Sequence, residues 1–482
     1  MSKYDGEDLI TWGFKPGPAF PRLLEIANAL KDHELYVPRI IDILNEEYEE
    51  NWRPATLIPL QAKDYINIVY NIDEGRNDYE KSNVQKVQQD VEALVRVPTV
   101  RSAVVMPDAC PAGLIPVGTI IGAENAIHPG MHSADICCSM FLTTVDKDVD
   151  PSKVLDAVQK ASHFGFGGRV DHPMGHGHAI IERAKNNRFL ASVEMFKAMS
   201  DHLATQGDGN HFFYVGKKES TGELTFVTHH GSRKPGALLY KKGMKIAKHM
   251  TQAISPDTPD AASWIPYDTM EGEEYWEALQ IIREWTKMNH QTIHNAVMQE
   301  LGLSYKNVTD TFWNEHNFVF KENNMFYHAK GATPVTGKHA HDADWKGRTI
   351  VPLNMGEPIL ITTNHENNET GFAPHGAGRN FSRTQYMKMK AGKSPEKIMK
   401  EETDHIDARF YSGKPDASEL PSAYKDANEV QDQIGKYNLA NIDDRILPLG
   451  SMMAGEMPKP WLNSKEKKTE RQRRQTRKKR QM

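Results

Sequence analysis

Pro374-His375-Gly376-Ala377-Gly378-Arg379 sets one imidazole between a proline and a run of small residues, with an arginine behind it. Such a histidine is suited to attack phosphorus. Small residues let backbone N–H groups come close to phosphate oxygens, and a guanidinium can grip a phosphate with two hydrogen bonds. Ser382 and Arg383 extend the same polar stretch. A tight turn with a hydrogen-bonded histidine has the same composition, so the rest of the chain must supply the remaining chemistry. Asp135-Ile136-Cys137-Cys138 follows the turn-forming His128-Pro129-Gly130 and places a carboxylate three residues before a thiol. Both could reach one ion, and a thiolate can bridge two. Asp135 and Cys138 with a few imidazoles would then make a mixed O, N and S site for manganese or zinc. Three segments offer those imidazoles. His211 follows Asn210 after the Gly-rich turn Gly207-Asp208-Gly209. His229 comes after the apolar, β-branched run Leu224 to Val227, which reads as a strand delivering its histidines into a loop. His316 sits in Trp313-Asn314-Glu315-His316-Asn317.

Taken in order, seven motifs resemble the series of the RtcB-type RNA-splicing ligases: Met106-Pro107-Asp108, Asp135-x-x-Cys138, Gly209-Asn210-His211-Phe212, His229-x-Gly231-Ser232-Arg233, Glu315-His316-Asn317, His328-x-Lys330-Gly331-Ala332-Thr333 and His375-Gly376-Ala377-Gly378-Arg379. The resemblance covers most of the chain. It implies an α+β protein, a single large mixed α/β catalytic domain with a central dinuclear metal cleft. It also implies two Mn2+ ions, one held by Asp135, Cys138 and His211, the other by Cys138, His229 and His316. His375 would take the guanylyl group from GTP, with Arg379 beside it, and Asn210, Phe212, Asn354, Gly376, Ala377 and Gly378 would line the nucleotide site. The implied substrates are RNA ends: a 2′,3′-cyclic phosphate or 3′-phosphate joined to a 5′-hydroxyl through an RNA-ppG intermediate, in tRNA splicing or RNA repair.

Departures from the family pattern gather at the nucleotide site. Tyr214 stands where a glutamate is usual, Asn354 where a serine is usual, Cys110 where a histidine is common, and Met453-Ala454-Gly455 near a position that carries lysine. They keep a second reading open, a metal-dependent RNA-end processor or RNA-binding protein that has lost nucleotidyl transfer, and a third, a ligase using another nucleotide. The ligand types alone would also accept zinc or cobalt.

With 482 residues, 39% of them hydrophobic, the chain can bury a large core, and its three cysteines form no disulfide framework. The N-terminus lacks the apolar core of a signal peptide, and no apolar run approaches about 18 residues, which leads to the expectation of a cytoplasmic protein without membrane contact. Net charge is −5, yet Lys465 to Met482 holds ten basic residues against two glutamates. Such an end either grips an RNA backbone or is simply solvated.

Residues 1–95 read as a mostly helical extension, with apolar positions at helical spacing from Phe20 to Glu50 around Pro38. Residues 96–460 read as the catalytic domain and 461–482 as a basic, disordered tail. Strands and turns are expected over Val104–Ile121, helices over Ile180–Ala204 and Glu273–Leu301. Many of the 21 histidines cannot be ligands. His172, His176 and His178 read as a Gly/Pro-rich surface loop, and His339 and His341 call for the same reserve. Cys137 should pack away from Cys138, and Tyr214 reads equally as a stacking ring or a core aromatic.

Overall fold

The computed structural model describes residues 3–457 apart from 15, 18, 34, 52–56, 114, 166, 170–177 and 340–345. His172, His176, His341 and the basic tail therefore lie outside the described residues. The chain forms two compact units, Met1–Pro59 with Gln252–Asp257, and Leu60–Thr251 with Thr258 onward. In the smaller unit the helices Gly6–Thr11, Phe20–Asp32 and Val37–Asn51 share a core of Leu9, Leu23, Ala27, Ile40 and Leu44. Pro38 falls in the first turn of its helix, where its missing N–H would have had no partner. The helix Asp78–Leu94, which the sequence places in the extension, belongs to the larger unit and packs on the strand Val100–Cys110.

The larger unit carries two main sheets. In the first, Ile68–Tyr70 runs parallel to Val100–Cys110, and Val117–Glu124, Met325–Lys330 and Asn317–Glu322 follow antiparallel. The second has the order Val308–Glu315, Ser139–Val145, Leu224–His230, Phe212–Lys218, Ala440–Met453, Ile359–Asn364, Arg348–Val351, each antiparallel to the next. Asp407–Phe410 is added parallel to the end of Ala440–Met453. Pro448 sits beside the register shift in that long strand, a tolerated place for a residue without an N–H.

Period-two alternation gives these strands two apolar faces. On one, Met140, Leu142, Tyr214, Val227, Phe312, Ile350, Ile359 and Ile446 form a single cluster. On the other, Phe213, Val215, Phe226 and Met452 pack against Val154 and Leu155 of the helix Pro151–Ala161 and Ile293 and Val297 of the helix Met270–Glu300. The first cluster draws Phe312 and Ile350 from opposite edge strands, so the sheet curls until its edges meet. Side chains close the seam: Ile350 N donates to Asn314 Oδ1 (3.0 Å), and the Arg348 guanidinium donates two bonds of 2.8 Å to Asp310.

The 31-residue helix Met270–Glu300 agrees with its sequence pattern. The single helix expected over Ile180–Ala204 is instead two, Ala179–Lys185 and Val193–Asp201. Polar side chains cause the break: Asn187 Oδ1 accepts from Phe189 N, and Ser192 Oγ caps the second helix at Met195 N. No helix among the described residues is long and apolar enough to cross a membrane.

Asp310 also accepts from Lys218 Nζ (2.9 Å), whose side chain is only 9% exposed. Burial pushes the Asp310 carboxyl up, but its bonds to Arg348 and Lys218 outweigh this and hold it well below the usual carboxylate range. A depressed folded-state pKa contributes stability that is present above about pH 4 and is lost as pH falls through the folded value. Asp310→Asn should therefore cost about 3 kcal/mol at neutral pH, because Lys218 is left buried without its charge partner. It should also flatten the acid limb of the stability curve, both read from urea unfolding between pH 3 and 7.

Candidate active site

The ladder registers place one end of several strands at a common rim. Ser139 pairs with His230 and with Glu315, Phe212 with His229, and Met453 with Phe212. Cys138, His211 and His316 each lie one residue beyond a strand at that rim, and His229 is the penultimate residue of its own. The histidines of Thr228-His229-His230 are thus in the strand rather than in a loop after it. Alternation aims His229 to the rim, while His230 turns into the core and stacks on His290 with ring centroids 3.5 Å apart. Cys137 adopts a left-handed φ of 58° and is fully buried among core residues, so Cys138 alone of the pair reaches the site. The turn carrying them is pinned by Cys137 N to Asn317 O (2.7 Å) and Ser232 Oγ to Ile136 O (2.6 Å).

At the rim, Cys138 Sγ lies 3.1 Å from His229 Nε2 and 3.6 Å from His211 Nε2, His229 Nε2 lies 3.1 Å from His316 Nε2, and His211 Nε2 lies 3.3 Å from Asp135 Oδ2. Two triads result, Cys138-His229-His316 and Asp135-Cys138-His211, and Cys138 is common to both. Burial, then the nearby His211, pushes His229 down to about 3, and burial, then His375, pushes His316 well below its ordinary value. Both rings are therefore neutral, the form that binds metals. Burial tends to raise Asp135, but the facing His211 and Cys138 hold it at about 2. Burial and the adjacent Asp135 push the Cys138 thiol well up, so a cation has to displace its proton. Lone pairs on imidazole nitrogens 3.1 Å apart repel unless a proton or cation lies between them. Oxygen, nitrogen and sulfur donors converging in two triads with a shared thiol fit a pair of divalent transition ions. His229 Nδ1, bonded to Asn210 O (3.0 Å), fixes the tautomer that presents Nε2.

His375 stands beside this cluster, its ring centroid 4.9 Å from that of His316. Its Nδ1 bonds Asp108 Oδ2 at 2.5 Å, and its backbone N donates to the same oxygen (3.2 Å). Asp108 is fully buried, and its pairing with Nδ1 leaves Nε2 as the imidazole's available nucleophile. Gly378 has a φ of +73°, and a Cβ there would meet Asp108 O at 2.1 Å, so this loop lies directly on the Asp108 strand.

A cavity of about 340 Å³ opens at the site. Its lining brings together Asp135, Cys138, His229, His316, Asn210, Phe212, Asn354, His375, Gly376, Ala377, Gly378 and Arg379; His211 borders the adjoining open groove. Arg379 differs from the sequence expectation, for its guanidinium is engaged by protein: Nη1 with Glu419 Oε2 (3.1 Å), Nη2 with Ser418 O (2.6 Å) and Nε with Phe381 O (3.2 Å). Buried Glu419 also accepts from Arg383 Nε (2.6 Å) and from the Tyr424 hydroxyl (2.6 Å). Tyr214 is a core aromatic whose hydroxyl donates to Ile446 O (2.8 Å). His328 lies away from the rim and accepts from His128 N (2.8 Å), and Lys330 Nζ donates to Ala112 O and Ile115 O. Sequence reading missed the roles of Asp108 and Glu419. The first stood in a motif with no stated partner, and nothing in the local sequence marks the second.

Residues 90–454 match the family described as tRNA-splicing ligase RtcB. A tRNA-splicing ligase of Archaeoglobus fulgidus is 26% identical over 422 residues, covering 72% of this chain and 87% of its own. An RNA-splicing ligase of Escherichia coli is 26% identical over 363 residues, covering 68% and 84%, and a tRNA-splicing ligase of Thermococcus kodakarensis is 23% identical over 453 residues, covering 78% and 94%. A curled sheet carrying two candidate metal triads beside a carboxylate-paired histidine is thus the scaffold of an RNA ligase. The chain belongs to the RtcB family.

Gly231 shows how tightly the ligands are set, since a Cβ there would lie 2.0 Å from Asp135 Oδ1. Gly231→Ala should weaken Mn2+ binding by about 10–100-fold, followed by the free-ion EPR signal, while the far-UV circular dichroism stays unchanged.

Proposed function

We propose that this chain joins RNA ends carrying a 3′-phosphate or 2′,3′-cyclic phosphate to ends carrying a 5′-hydroxyl, through a nucleotide carried on His375, in tRNA splicing or repair of cleaved RNA. The observation that carries this reading is the Asp108–His375 pair at the edge of the metal triads. A hydrolase that only opened cyclic phosphates would have no use for an imidazole held with its Nε2 free beside the metals.

Two divalent ions, Mn2+ by the family resemblance, held by Asp135, Cys138 and His211 and by Cys138, His229 and His316, would neutralise phosphate charge and favour in-line displacement. The chain's own groups account for the rest. Asp108 accepts from Nδ1–H and so keeps the His375 lone pair on Nε2. Nε2 attacks the α-phosphorus of a nucleoside triphosphate, the P–N bond forms, and pyrophosphate leaves. As it does, Asp108 balances the positive charge that develops on the ring. A 2′,3′-cyclic end is first opened by water. An oxygen of the RNA 3′-phosphate then attacks the carried phosphorus, the P–N bond breaks, and His375 recovers its lone pair. The 5′-hydroxyl oxygen finally attacks the activated 3′-phosphorus, forming the new phosphodiester and releasing the nucleoside monophosphate. Resemblance implies GTP as the donor; the metal and His375 ends of the cavity read the triphosphate and not the base.

An RNA with 3′-phosphate and 5′-hydroxyl ends, incubated with protein, Mn2+ and all four nucleoside triphosphates, should be ligated. His375→Ala should abolish both ligation and acid-labile nucleotide on the protein, and Asp108→Asn should slow nucleotide loading about 100-fold without altering Mn2+ binding. Opening of cyclic phosphate with no ligation and no adduct would replace this reading with that of an end processor.

A further inference from the structure

We propose that the nucleotide cavity selects adenine over guanine and that Ser451 reads the base edge; this rests on the cavity being the nucleotide site. Sheet register gives the direction of the ligand. His229 pairs with Phe212, and Phe212 with Met453, so these residues mark the rim where the metal ligands and His375 receive phosphates. Tyr214 and Ser451 pair with each other two residues further along, about 7 Å inward. A nucleotide with its α-phosphate at His375 therefore puts its base toward this inner end. The cavity walls on the way, Phe212 and Met453 from the rim together with Met355 and Ile359, are apolar and suit a flat ring.

Few polar groups remain to read the edge, and Asn354, whose Oδ1 already accepts from Gly356 N (3.0 Å), offers a donor and not an acceptor for ring N–H groups. Ser451 lines the cavity, is 1% exposed, and its hydroxyl has no hydrogen-bond partner among the described residues. The Tyr214 hydroxyl donates its one proton to Ile446 O (2.8 Å), with Glu357 O also near at 3.3 Å, so it has no proton left to donate to a base. Among the described lining residues the carboxylates are Asp135 and Glu419. Asp135 belongs to the metal rim, and Glu419 already accepts from Arg379, Arg383 and Tyr424.

Guanine presents two adjacent donors, N1–H and N2–H, which a carboxylate satisfies and one hydroxyl cannot. The donor left buried and unpaired costs about 10–100-fold in affinity. Adenine presents an N6–H donor beside the N1 acceptor, and a single hydroxyl accepts from one and donates to the other.

The test is equilibrium binding of α,β-methylene-ATP and α,β-methylene-GTP, whose α-phosphorus cannot be transferred to His375 because the P–C bond does not break, to the full chain with Mn2+. The adenine analogue should bind at least about tenfold more tightly. Ser451→Ala, and Ser451→Cys as a near-isosteric second variant, should bring the two affinities within about twofold with the melting temperature of the ligand-free protein unchanged. Equal or tighter binding of the guanine analogue, a gap unchanged in both variants, or binding of neither analogue overturns the proposal. Loading of His375 with the four labelled triphosphates separates the two readings. Faster loading from GTP sinks the base choice and leaves nucleotidyl transfer standing, whereas adenine-selective binding with no loading sinks transfer alone.

Discussion

Cys138 Sγ stands 3.1 Å from His229 Nε2 because Met140 pairs with His229 across one antiparallel ladder and the chain turns inward two residues earlier. That register is the constraint on which the site depends. A slip of one residue would turn His229 into the core and bring Thr228 or His230 to the rim. The slip is resisted from the far face of the same strands. Thr228 Oγ1 bonds His290 Nδ1 (2.7 Å) and His294 Nε2 (2.9 Å) of the long helix, and His290 Nε2 bonds Ser139 Oγ (3.0 Å). One helix thereby grips the residue next to Cys138 and the residue next to His229.

The neutral imidazoles of His229 and His316 and the thiol of Cys138, crowded at 3.1 Å, gain little from one another and lose solvation by burial. The surrounding frame carries that cost. Glu315, one residue before His316, is buried and bonded to Arg283 Nε at 2.5 Å, which leaves no free charge beside the ligand. The opposite end of the curled sheet is closed by Asp310, Arg348 and Lys218. Stability is concentrated at one end of the sheet and binding at the other, an arrangement common where a sheet encloses a ligand at its mouth.

How much of this was legible in the sequence follows from range. The two triads could be picked out because each of their residues stands in its own short motif at or near a strand end, whereas Cys137 turns away from Cys138 through a left-handed turn and not through the strand alternation the sequence suggested. The helix Met270–Glu300 announced itself by length and period, whereas the break at residues 186–192 depends on side-chain bonds from Asn187 and Ser192 that periodicity does not register. Asp108 and His375 are 267 positions apart and Arg379 and Glu419 are 40 apart, so only the fold pairs them. A guanidinium beside a catalytic loop looks free in sequence. Here a buried carboxylate holds it.

That carboxylate bears on how the cavity meets its ligand. Glu419 is nearly inaccessible and joins two guanidinium groups and a phenol in one network, so Arg379 and Arg383 reach the cavity with their geometry fixed and part of their charge neutralised. Arg379, bonded through all three of its nitrogens, is held rigidly by this network, and rigidity lowers the ordering cost of binding. The field at the rim is then set by the two triads and His375 more than by arginine, while the inner end offers, among the described residues, apolar side chains and the unpaired Ser451 hydroxyl. On the proposed reading, charge recognition and base recognition are therefore separated along a single cavity, by the pleat that carries Phe212 and Met453 at the rim and Tyr214 and Ser451 behind them. Tyr214 and Ser451 can on that reading be changed without disturbing the two triads or His375, because among the described residues neither side chain bonds to them.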